Sequence, residues 1–108
     1  MKTNYRFGEA VELARQVEPK DERVEFRQVF ETGNGGVDIL AFKKGQRLDT
    51  HLAPAEVMVN VLEGEILFTM NGKPVTLRQG EFLLMGEGVP HSVEAKSDAK
   101  VLLVKVKP

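Results

Sequence analysis

At 108 residues the chain has the size of one domain with one core. Its 15 basic and 16 acidic side chains are scattered and leave a formal net charge of −1, which argues against a nucleic-acid partner, and no apolar run nears the roughly 20 residues that span a bilayer. Cysteine is absent, which excludes a disulfide framework and thiolate chemistry, and the first residues lack the apolar stretch of a signal peptide, so a cytoplasmic protein is expected.

In chain order, Gly8 to Pro19 is read either as a short helix ended by Pro19 or as a first strand, because Val11, Leu13 and Val17 share odd spacing. From Val24 onward, β-branched and aromatic runs alternate with turn residues, as in a sandwich or barrel. The runs are Val24 to Glu31, Val37 to Lys44, Glu56 to Gly64 and Ile66 to Gly72, then PVTLRQG, EFLLMG, HSVEA and AKVLLVKVK. Thr32-Gly33-Asn34-Gly35-Gly36 and Asn71-Gly72 are hairpin signals between them. Alternation turns Val57, Val59 and Val61 inward and Met58 and Leu62 outward, with Met85 outward too if its strand aligns likewise. Phe42, Phe68 and Phe82 are expected in the core, and the lysines of the last strand are expected to be solvated or to protect an edge.

Two segments stand apart by their pattern of Gly and His. The first, residues 45–64, reads GQRLDTHLAPAEVMVNVLEG and carries His51; the second, residues 80–91, reads GEFLLMGEGVPH and ends on His91. In this order they resemble the two motifs of the cupin family. The resemblance implies an all-β fold: a double-stranded β-helix, or jelly-roll, barrel of roughly nine or ten strands with a short N-terminal extension. Residues 1–108 would then form one small cupin domain.

Family members of this pattern hold a metal through a set of His and Glu side chains, and here that set is incomplete. Ala53 stands where the first motif has its second His, and Val57 where it has its Glu. His51 and His91 remain, with Asp49 as the nearest carboxylate on the same strand face and Glu56 as the next. Two imidazoles are fewer than the three protein ligands usual for catalytic zinc. The pair therefore either holds a weak divalent ion (Zn, Fe, Mn or Ni) or bonds to itself, to backbone or to water. Ala53, Val57 and Val59 should line the same pocket and make it apolar, which suits a small organic ligand. The two functions weighed are a small-molecule binding barrel and a metal-dependent enzyme of the dioxygenase or isomerase type. A homodimer is expected from the outward apolar face and from the resemblance.

Overall fold

Nine strands build two antiparallel sheets in the computed structural model, which describes the backbone of residues 1–108 and every side chain except that of His51. They are β1 (Glu25–Thr32), β2 (Gly35–Phe42), β3 (Arg47–His51), β4 (Glu56–Glu63), β5 (Glu65–Met70), β6 (Lys73–Arg78), β7 (Phe82–Met85), β8 (His91–Ala95) and β9 (Ala99–Val106). The five-stranded sheet runs β1-β2-β9-β4-β7 and the four-stranded sheet β3-β8-β5-β6, the two-layer arrangement of a jelly roll. Eight of these strands follow the runs read from the sequence; β3 lies in a stretch, QRLDTH, with too few apolar residues to announce itself.

The hairpins form where turn chemistry puts them. Asn71 and Gly72 both have positive φ, 49° and 79°, which is the backbone a two-residue turn between β5 and β6 needs. Gly64 joins β4 to β5 at φ 81°, and a Cβ there would lie 2.1 Å from the Asp98 carbonyl oxygen, so glycine is required on both grounds.

Period-2 alternation sorts the strands' two faces. Inward rows from both sheets (Leu40 and Phe42, Val57, Val59 and Val61, Ile66 and Phe68, Val101) form the main core. The outer face of the five-stranded sheet is covered on its β2 side by the N-terminal segment, where Val17 and Leu13 pack on Ile39, Ala41, Leu62 and Leu102. That segment is neither the helix nor the strand expected. It carries one 3₁₀ turn, Leu13–Arg15, and lies as a strap. The strap is tied by Thr3 Oγ1 donating to the Val29 carbonyl at 2.6 Å, by a Lys2–Glu31 bridge pair, and by Lys100 Nζ, which donates to the Ala14 carbonyl and meets Glu18 at 3.2 Å.

This packing overturns three expectations, for Met85, Phe82 and the lysines of the last strand, and adds a cover to a fourth residue. Leu62 faces outward as read, yet the strap covers it. Met85 is buried and faces inward, because β7 pairs with β4 in the register Val57↔Met85 and shares its inner row. That same register turns Phe82 out, leaving it 58% exposed rather than in the core. The last strand is central instead of an edge, so Lys100 is buried beneath the strap and Lys105 is held in an ion pair. No helix among the described residues is long and apolar enough to cross a membrane.

Candidate functional site

Part of the buried core does not border the cavity. Val61, Ile66, Leu77 and Ala95 fill one end. Toward the other end the inner rows line a cavity of about 350 Å³, the low end of the range for small-molecule sites. Its walls are mostly apolar, with Leu40, Val57, Val59, Phe68, Met85 and Val101 among them.

The two motifs meet at its rim. The Gly88 N–H donates to the Ala53 carbonyl at 2.9 Å and the Asn71 N–H to the Pro90 carbonyl at 3.0 Å, which fixes the loop leading into β8. Pro90 restricts the backbone just before His91. His91 is buried in the cavity wall, its ring stacked on Phe68 with centroids 5.6 Å apart and planes 12° from parallel. Its Nδ1 lies 3.0 Å from the Val89 carbonyl. A carbonyl can only accept, so Nδ1 carries the proton there, and in the neutral ring the lone pair is on Nε2.

The residues named from the sequence are distributed as follows. Ala53, Val57 and Val59 line the cavity together with His91. The backbones of His51 and His91 are cross-strand partners, and the side chain of His51 lies outside the described residues. Asp49 is exposed and is not among the cavity-lining residues. The register of β3 on β8 shifts between Leu48 and His51, the stretch that carries Asp49. Glu56 is exposed at the start of β4, beside the inward-facing Val57. Among the described residues no group of three His, Cys, Asp or Glu side chains could hold a metal ion. Alanine and valine stand at the two substituted positions, and neither side chain supplies a metal donor.

Gln28, Glu31, Asp38, Lys105 and Lys107 also line the cavity and escaped the sequence reading, and two of them form a pair in its wall. Asp38 of β2 is only 2% exposed, lines the cavity, and is paired through Oδ2 with Lys105 Nζ of β9. Its other oxygen, Oδ1, is buried without a hydrogen-bond partner among the described residues. The signal was present: Asp38, Leu40 and Phe42 form one alternating row, and Val101, Leu103 and Lys105 another, so both charged residues extend inward-facing rows.

Comparison with known proteins agrees with this architecture. Residues 39–106 match a family model described as a cupin domain. A conserved protein of unknown function from Streptococcus pyogenes superposes with TM-score 0.90 at 25% identity, covering 100% of this chain and 96% of that one. An RmlC-like cupin protein from Desulfovibrio desulfuricans is 31% identical with TM-score 0.81, covering 91% and 95%. A cupin 2 conserved barrel domain protein from Leptotrichia buccalis is 34% identical with TM-score 0.84, covering 88% of this chain and 46% of that one. None of the curated proteins compared matches the chain.

Proposed function

The chain belongs to the cupin family, and on that premise we propose that it is a binding module that takes a small organic molecule into the barrel. The observation that carries this reading is the cavity itself, with apolar walls and a few convergent polar groups at Asp38, Lys105 and His91. Apolar residues at positions 53 and 57 favour an organic occupant over a tightly held ion. Ala53, half-buried at the rim, gives a clean test. Fragments found by ligand-observed NMR to bind the native chain should lose binding to the Ala53→Phe variant, whose ring plugs the opening. Fragments that bind both equally would place the site elsewhere.

A metal-dependent enzyme of the dioxygenase or isomerase type is the second reading. It is favoured by the pairing of the His51 and His91 backbones, with Asp49 as the borrowed carboxylate. In that reading the ion, Zn, Fe, Mn or Ni, is weakly held.

The protein acts as a homodimer. The strap covers only the β2 side of the outer face, and the remainder, around Met58, Leu84, Val104 and Val106, is mostly apolar with Glu56 beside it, and Leu84 is 69% exposed on the edge strand β7. An uncharged, exposed edge of this kind is stabilised by burial against a second copy. Light scattering should give the dimer mass for the native chain at micromolar concentration and the monomer mass for Leu84→Glu. A native monomer would overturn the assignment.

A further inference from the structure

The geometry points to a ligand that carries a hydroxyl group, an alcohol or phenol with an apolar body, whose O–H donates to Asp38 Oδ1 while its oxygen accepts from Lys105 Nζ. This rests on the cavity-binding reading and narrows it to a chemical class.

The argument begins with a buried carboxylate that is only half satisfied. Moving a carboxylate out of water is costly unless each oxygen finds a donor. Lys105 supplies one to Oδ2, and Oδ1 has none among the described residues. Asp38 lines the cavity while Oδ1 itself is covered, so a donor on whatever enters meets this orphaned acceptor once the carboxylate turns toward the cavity. Lys105 strengthens the case, because an ammonium has three donors and the ion pair with Asp38 uses one. The wall therefore presents an acceptor and a donor side by side. A hydroxyl, both donor and acceptor at one atom, matches them together. A carboxylate ligand does not, since it would meet Lys105 only by approaching the Asp38 carboxylate.

Placement within the cavity sets the rest of the molecule. Asp38 and Lys105 stand on the five-stranded sheet next to Gln28 and Glu31, which also line the cavity, so most of its polar groups gather on that wall, with His91 on the four-stranded sheet. Val57, Phe68 and Met85 line the apolar part, where the ligand's body would rest. The volume of about 350 Å³ holds on the order of ten water-sized groups, at about 30 Å³ each. The occupant is therefore small, comparable to a single ring with short substituents.

Benzyl alcohol, benzaldehyde and benzoate are matched probes, sharing a ring and differing in what the oxygen can do. Titration followed by amide and methyl chemical shifts of the native protein should show benzyl alcohol binding about tenfold or more tightly than either other probe, because benzaldehyde cannot donate and benzoate is repelled. In Asp38→Asn the side-chain oxygen takes Lys105 and an N–H replaces Oδ1, so the gap between benzyl alcohol and benzaldehyde should close. Asp38→Leu with Lys105→Met, which removes both partners and leaves an apolar wall, should abolish the preference for the alcohol and keeps the test open if the single variant unfolds. Equal binding of alcohol and aldehyde by the native chain, tightest binding of benzoate, or an unchanged ranking in the variants would overturn the inference while shifts at Val57, Phe68 and Met85 still supported the cavity reading. No shift at those residues with any probe would overturn both.

Discussion

Replacing Phe68 by alanine should destabilise the protein by about 3–5 kcal/mol, the range for removing a buried aromatic ring. Phe68 is 1% exposed in the middle of β5 and serves three contacts at once. It pairs with Val93 on one side and Val75 on the other, belongs to the core while lining the cavity, and stacks on His91. Loss of the ring removes apolar burial and leaves a void continuous with the cavity, which the rigid inner rows cannot close. For a domain of this size each 1 kcal/mol shifts the melting midpoint by about 4–8 °C, so a fall on the order of 10 °C or more is expected. Phe7→Ala is the control: the same side chain, 79% exposed, should change stability by less than about 0.5 kcal/mol. Urea unfolding of the three proteins measures both. A cost below about 1 kcal/mol for Phe68→Ala would mean that the barrel wall collapses onto the gap.

The second large effect is a gain. Ala53→His with Val57→Glu should raise Zn²⁺ affinity by more than about tenfold, or about 1.4 kcal/mol. Both positions line the cavity on the same rim as His91, and β3 brings the His51 backbone opposite that of His91. In the native chain, water or a borrowed carboxylate must complete any shell, so fewer protein bonds offset the ion's dehydration. The double variant rebuilds a set of imidazoles and a carboxylate. Without metal it carries an imidazole at the rim and a carboxylate at a position only 5% exposed, which costs stability unless the ion satisfies them. The variant should therefore bind Zn²⁺, Fe²⁺ and Mn²⁺ more tightly in calorimetry and melt earlier than the native chain in a chelator. Tighter binding by the native chain would show that it already completes a metal shell from other residues.

The amino-acid sequence by itself determined the barrel. Turn chemistry at Asn71-Gly72 and Gly64 and alternation in the valine row of β4 are local properties, each acting over a few residues regardless of the rest of the chain, and the two His-bearing motifs added the family resemblance. Alternation also determined which side chains share a face, but not what covers that face. Leu62 and Met58 share the outer row of β4, and only the strap's position made one a core residue and left the other beside an open apolar patch. Strand partners decided Met85 and Phe82 in the same way: a one-residue change in the β4–β7 register would exchange their faces, and four residues of β7 carry too little pattern to specify it. The sheet order decided the charges. Lysines on a final strand read as solvated until β9 is seen between β2 and β4, with Lys105 against Asp38 and Lys100 under the strap. The polar wall of the cavity was therefore written in two alternating rows far apart in the chain, and it became a site only when long-range pairing laid β2 beside β9.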